Sequence, residues 1–206
     1  DYDHYVIDLF APEDDILRWI QAEADRHDLP TISLHAHEAR MLQVFIKAIG
    51  ARKVLEIGTL AGYSGVWLAR ALPVGGKLIT LERSSKHAKI ARASFQRAGI
   101  HDRVTLIEGP ALDSLAKLEA EAPFDLVFVD ADRANYPNYF RWITNALRPG
   151  GILAVHNAFV AGRILAPQSD DDRGMADFQK ALAQSDRFDS TIIGIGDGMV
   201  MAVKTA

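Results

Sequence analysis

The chain has 206 residues, of which 49% are hydrophobic and 24% charged, a length and mixture that suit one domain with a sizeable core and exclude a disordered or fibrous chain. Its net charge of −4 argues against a broad nucleic-acid-binding surface and leaves room only for a local basic patch. Cysteine is absent, which excludes disulfides and thiolate metal sites and leaves the redox compartment open.

The opening Asp1-Tyr-Asp-His-Tyr5 does not read as a signal peptide, and no apolar run approaches a membrane span. The expected location is therefore the cytoplasm. A first residue other than Met suggests that residues precede Asp1 or have been trimmed. The first fifty residues read as helical, with one segment near Pro12–Arg26 and another near His35–Ile49. His35 and His37 decorate the start of the second.

From Lys53 onward, strands and helices alternate. Strands are expected at Val54–Ile57, Lys77–Leu81, Val104–Ile107, Leu126–Asp130 and Ile152–Val155. Helices are expected between them at Gly62–Leu72, Ser84–Ala98, Ala111–Glu121 and Tyr136–Leu147. The punctuation agrees: Pro73, Gly75-Gly76, Gly99, Pro123 and Pro149-Gly150-Gly151 read as turns. This pattern predicts an α/β fold with a parallel sheet wound by right-handed crossovers. A helix near Met175–Gln184 follows, then Asp189–Ile195, Gly196-Asp-Gly198 and Met199–Lys204. Asp-Gly between two β-rich runs is a hairpin signal, so the sheet should end in an antiparallel strand. No repeat or linker justifies a second domain, and residues 1–206 are expected to form one.

The most informative stretch is Val54-Leu-Glu-Ile-Gly-Thr-Leu-Ala-Gly-Tyr-Ser64, an apolar strand that breaks through a glycine turn into a helix. That geometry presents a nucleotide cofactor to the carboxyl edge of a sheet. Gly58, Gly62 and Gly65 do not follow the dinucleotide spacing. Glu56 is placed in the turn region, where it would repel a pyrophosphate and suit a cationic ligand such as the ammonium and sulfonium of S-adenosylmethionine. The competing reading is an α/β unit with a glycine turn and no ligand. Glu82 closes the second strand about twenty residues beyond the turn, where an acid binds ribose hydroxyls. Alone, it would read as a solvated strand-end acid.

Asp130 and Asp132 end the fourth strand, and His156-Asn157 end the fifth. A carboxylate, an imidazole and an amide oxygen at neighbouring strand ends make a three-ligand metal site with open positions. Each also has a structural reading: Asp130 as cap of the following helix, His156 as a satisfied half-buried histidine. Asp170-Asp171-Asp172 reads as a helix N-terminal acid cluster. Lys86, His87, Lys89, Arg92 and Arg97 read as a solvated helix face, and Trp67 and Phe95 as packing residues. Tyr136, Tyr139 and Trp142 either line a pocket or pack.

In this order, those blocks resemble the cation-dependent small-molecule O-methyltransferases of the catechol and caffeoyl-coenzyme A type, most closely the short bacterial members. The matching blocks are the stretch from Val54 to Ser64, Glu108-Gly-Pro-Ala-Leu112, the run Phe124–Tyr136, Leu147-Arg-Pro-Gly-Gly-Ile152 and Ile195-Gly-Asp-Gly198. The resemblance implies a Rossmann-like S-adenosylmethionine-dependent fold with a seven-stranded sheet, methyl transfer to a phenolic oxygen, a divalent cation chelating a vicinal diol, and a homodimer. It places Glu56, Gly58, Thr59 and Ser64 at the cofactor turn, Glu82 at the ribose and Ala111 in the adenine-side loop. Asp130 and Asp132 become cofactor-proximal acids, and Asp130 and Asn157 metal ligands.

Two residues depart from the family pattern. His156 stands where aspartate precedes the asparagine, and Arg133 stands where a lysine serves as base. Arginine stays protonated, so Arg133 can only stabilise negative charge. A histidine in place of a carboxylate weakens a site for magnesium more than one for manganese, iron, cobalt, nickel or zinc. Alternatively no metal binds and His156 is itself the base. The catalytic candidates are thus Asp130, Arg133 and His156, and the metal candidates Asp130, His156 and Asn157. Two further functions stay open: methylation of a hydroxylated tRNA base, and S-adenosylmethionine binding without catalysis.

Overall fold

The computed structural model describes residues 2–30 and 33–206. Seven strands form one mixed sheet in the order β3-β2-β1-β4-β5-β7-β6. The chain divides into two compact units, Asp1–Ala111 and Leu112–Ala206. Among the described residues, no helix is long and apolar enough to cross a membrane.

In the first unit, α1 (Tyr2–Phe10), α2 (Asp15–Arg26) and α3 (Ala36–Ala48) precede β1 (Lys53–Ile57), α4 (Tyr63–Ala71), β2 (Lys77–Glu82), α5 (Ser85–Arg97) and β3 (Val104–Glu108). β1 pairs in parallel with β2, and β2 with β3. Nearly every residue of β1 and β2 is buried, as expected of strands covered on both faces. Helix starts follow local chemistry. Asp14 accepts the Leu17 N–H at 3.0 Å to open α2, and Ser84 accepts that of His87 at 3.4 Å to open α5. Along α5, Ala88, Ile90, Ala91, Ser94 and Phe95 are buried while Lys86, Lys89, Arg92 and Arg97 stay exposed. α1 lies within the fifty residues expected to be helical but outside both expected segments, and none of its residues is buried: Tyr2, Tyr5, Leu9 and Phe10 are exposed.

Gly62 opens α4 in the left-handed region, at φ +88°, and a Cβ there would lie 2.9 Å from Phe95 Cε1 and 3.4 Å from Ala91 Cα. Only glycine meets both demands without strain. Gly62→Ala should therefore destabilise the fold by about 2–4 kcal/mol, the sum of a left-handed penalty and an overpacked ring. Gly99→Ala is the control: its φ is +66° but the space around it is open, so only the backbone penalty applies. Thermal unfolding of both variants separates the two contributions, and equal losses would remove the role of Phe95.

The second unit contains most of α6 (Ala111–Lys117), then β4 (Phe124–Val129), α7 (Tyr136–Ala146), β5 (Leu147–Val155), α8 (Asp170–Ala183), β6 (Phe188–Ile193) and β7 (Met199–Lys204). β4 and β5 are parallel; β7 pairs antiparallel with both β5 and β6. The hairpin around Gly196-Asp-Gly198 forms as expected, with the Gly198 N–H donating to the Ile195 carbonyl at 2.8 Å. Pro149-Gly150-Gly151, expected as a turn, lies inside β5. The register shift opposite Phe124 and Leu126 bulges that segment outward, which leaves Pro149 and Gly150 exposed and tolerates the missing proline donor. Buried Tyr136, Phe178 and Tyr139 join α7 to α8.

Candidate active site

In the first unit, the polar residues around the glycine turn form one connected group. Glu56 lies inside β1 rather than in the turn, and it is fully buried. Ser64 Oγ donates to its Oε1 at 2.5 Å and Thr80 Oγ1 to its Oε2 at 2.6 Å. Thr59 Oγ1 sits 2.5 Å from Thr80 Oγ1 and donates to the Leu81 carbonyl at 3.0 Å. A buried carboxylate needs such partners, and these tie β1 to β2 and to the first turn of α4. Gly58 takes φ +101°, and its N–H donates to the Leu81 carbonyl at 3.0 Å.

Glu82 is 9% exposed, so it is no solvated strand-end acid. Its Oε2 accepts the Leu60 N–H at 2.9 Å and that of Thr59 at 3.4 Å; its Oε1 accepts the Ser84 N–H at 2.8 Å. His87 Nδ1 lies 3.4 Å from the same Oε1, which draws this residue out of the solvated face to which the sequence assigned it. Ala111 opens α6 just after Gly109, whose N–H donates to the Glu82 carbonyl at 3.0 Å.

In the second unit, the β4–β5 register pairs Val129 with Val155, so the next residues, Asp130 and His156, are neighbours. His156 Nδ1 lies 3.1 Å from Asp130 Oδ2, and the ring is buried at 4% exposure. Asp130 thus engages the imidazole and caps no helix. Asn157 follows in the left-handed region at φ +57°. Among the described residues, no three His, Cys, Asp or Glu side chains form a metal-ready cluster, so a site here needs the Asn157 amide as its third donor.

Asp132 and Arg133 occupy the turn before α7. Asp132 accepts from Tyr139 Oη at 2.5 Å and from Asn135 Nδ2. Arg133 Nε is buried with no hydrogen-bond partner. The Ala131 N–H donates to Tyr136 Oη at 3.3 Å; burial, reinforced by the Asp130 charge, pushes the Tyr136 phenol well above its ordinary pKa.

The sequence missed Thr80, His87 and the Asp132 contact of Tyr139. A lone hydroxyl in an apolar strand was the available signal for Thr80; the other two required the tertiary structure. His37, expected at the start of the second helix, lies in the first turn of α3 and is 6% exposed.

A mostly parallel sheet with a glycine turn after β1, an acid closing β2 and polar residues ending β4 and β5 is the Rossmann-like arrangement of the methyltransferase class. The family model described as O-methyltransferase matches residues 8–205, and the chain belongs to that family. A catechol O-methyltransferase of Niastella koreensis is 38% identical over 98% of this chain and 95% of its own length. The crystal structure of an O-methyltransferase from Bacillus cereus in complex with SAH has a TM-score of 0.94 and 38% identity, covering 99% of this chain and 97% of that one. TomG from Streptomyces achromogenes, solved in complex with SAM, has a TM-score of 0.94 and 34% identity over 100% of this chain and 96% of its own.

Proposed function

We propose that the protein transfers the methyl group of S-adenosylmethionine to a hydroxyl of a small catechol-like or hydroxycinnamoyl-like acceptor. The observation that carries this reading is the Asp130–His156 pair, set side by side by the β4–β5 register in a chain of the O-methyltransferase family. In this reading Glu56, Gly58, Thr59, Ser64, Glu82 and Ala111 receive the cofactor, with Asp130 and Asp132 as further acids. Glu56 acts through Ser64 and the turn, since its own carboxylate is enclosed. In this reading Glu82 also meets the ribose, and the Leu60 and Ser84 N–H groups that donate to its carboxylate support the role. The protein acts as one domain, a homodimer, in the cytoplasm.

The donor set of Asp130, His156 and Asn157 fits a divalent transition metal. Two ligands at right angles, each roughly 2.1 Å from an ion, lie about 3 Å apart, and Asp130 Oδ2 and His156 Nδ1 are 3.1 Å apart. When bound, the ion would chelate and acidify a vicinal diol. Arg133 stays charged and stabilises the oxygen that has lost its proton. A second, metal-free reading is favoured by the same 3.1 Å contact, because Asp130 would orient the imidazole and leave Nε2 to accept the acceptor's proton.

The test is a methyl-transfer screen with labelled S-adenosylmethionine against catechols, hydroxycinnamoyl compounds and tRNA. Transfer to a vicinal diol is the expected result. Transfer to tRNA alone, or cofactor binding with no transfer across the panel, would replace the reading. In the same assay Arg133→Lys should hold activity within roughly tenfold or raise it, and lysine acting as base should add an ionisation to the pH–rate profile. Complete loss with the fold intact would show instead that the forked guanidinium is required.

A further inference from the structure

Arg133 makes no hydrogen bond through its buried Nε, so that atom does not set its direction. The backbone that carries it is held from α8. A Cβ on buried Gly174 would lie 2.1 Å from the Arg133 carbonyl oxygen and 2.8 Å from Ala134 Cα, so the two backbones touch where only glycine fits. Both obstacles are backbone atoms, and no side-chain rotation can relieve the overlap. One turn earlier, Asp171 Oδ1 accepts the Ala134 N–H at 3.0 Å.

The start of α8 is itself fixed. Ser169 Oγ accepts the Asp172 N–H at 3.1 Å, and the buried Asp172 carboxylate accepts from Arg163 Nε and from the Gln168 N–H at 3.1 Å. Asp172 is thus a structural anchor, whereas Asp171 reaches the turn that carries Arg133.

We infer that Gly174 and Asp171 are positioning residues for Arg133: α8 presses and hydrogen-bonds the Arg133–Ala134 backbone into the one arrangement that aims the guanidinium. The inference rests on Arg133 being the electrostatic partner of the acceptor oxygen. A displacement of about 1 Å in such a group is enough to slow a reaction substantially.

The test is a double-mutant cycle on the full chain. Gly174→Ala should lower kcat for the acceptor by roughly tenfold or more, while the dissociation constant for S-adenosylmethionine changes by less than about twofold. In an Arg133→Ala background the same substitution should change kcat by less than about twofold, because the group it positions is gone. Asp171→Asn keeps an oxygen acceptor and should retain most activity; Asp171→Ala should not. If Gly174→Ala fails to fold, the Asp171 pair in both backgrounds decides. Equal losses with and without the Arg133 side chain would overturn the inference, since the role would then be purely structural. The ¹⁵Nε–¹H resonance of Arg133, assigned by its loss in Arg133→Lys, gives a readout independent of turnover. It should shift in Gly174→Ala and in Asp171→Ala. An unmoved resonance in both overturns the inference even if the enzyme is active. A shifted resonance in a protein that methylates nothing sustains it while the proposed function falls.

Discussion

Chelator should abolish methyl transfer, and manganese, iron or cobalt should restore it better than magnesium. The expectation follows from the donor set Asp130, His156 and Asn157, which carries one carboxylate, one imidazole and one amide. Magnesium and calcium take oxygen ligands and gain most from negative charge, whereas the later ions accept imidazole nitrogen readily. His156→Asp replaces the nitrogen with a second carboxylate and should move the preference back toward magnesium. Asp130→Ala removes the only anionic donor and should reduce both bound metal, measured by elemental analysis, and activity by several orders of magnitude. The metal-free reading forecasts otherwise. There, chelator has no effect, and His156→Asp or His156→Ala removes the base and most of the rate. Full activity in chelator would eliminate the metal and leave His156 as general base. Activity that depends on neither metal nor His156 would eliminate both readings.

The second large effect is expected at Glu82. Glu82→Ala should weaken S-adenosylmethionine binding by about 1–3 kcal/mol, the penalty for leaving a buried polar group unsatisfied. Glu82→Gln should not rescue it. The protein groups around that carboxylate include three backbone donors, the N–H groups of Thr59, Leu60 and Ser84. An amide NH₂ turned toward Leu60 or Ser84 sets donor against donor, and turned toward the ribose it loses an acceptor. Both variants should also unfold at lower temperature, because the Leu60 or the Ser84 N–H then lacks its partner. Calorimetric titration with S-adenosylmethionine and with its demethylated product measures the first effect, and thermal unfolding the second. Unchanged affinity in Glu82→Ala would take Glu82 out of the site. Binding of NAD tighter than S-adenosylmethionine would overturn the cofactor assignment altogether.

Much of this protein was legible in its sequence, and the legible part has a common physical origin. Local chemistry settles each element: an apolar run such as Val54-Leu55 can be buried on both faces, Ser84 supplies an N-cap oxygen, and Asp197-Gly198 turns a hairpin. The order of the motifs was sufficient to identify the O-methyltransferase family, because each block reflects a local demand of a cofactor turn or strand end.

The tertiary structure decided which polar groups meet. The sequence placed Glu56 in the turn, yet strand pairing buries it between the hydroxyls of Ser64 and Thr80, and no local signal gives that pairing. The contact of His87 with Glu82 runs across the β2–α5 turn, which helical periodicity does not report. Asp130 and His156 were expected at neighbouring strand ends, but their direct contact at 3.1 Å depends on the β4–β5 register, which a one-residue slip would destroy. The approach of Gly174 to the Arg133 backbone likewise has no local signature, since a glycine inside a helix reads as a weakness until its neighbour is known. Local propensity and capping act within a few residues and can be read from the chain. Hydrogen-bond satisfaction and close backbone approach link residues tens of positions apart, and only the folded chain brings them together.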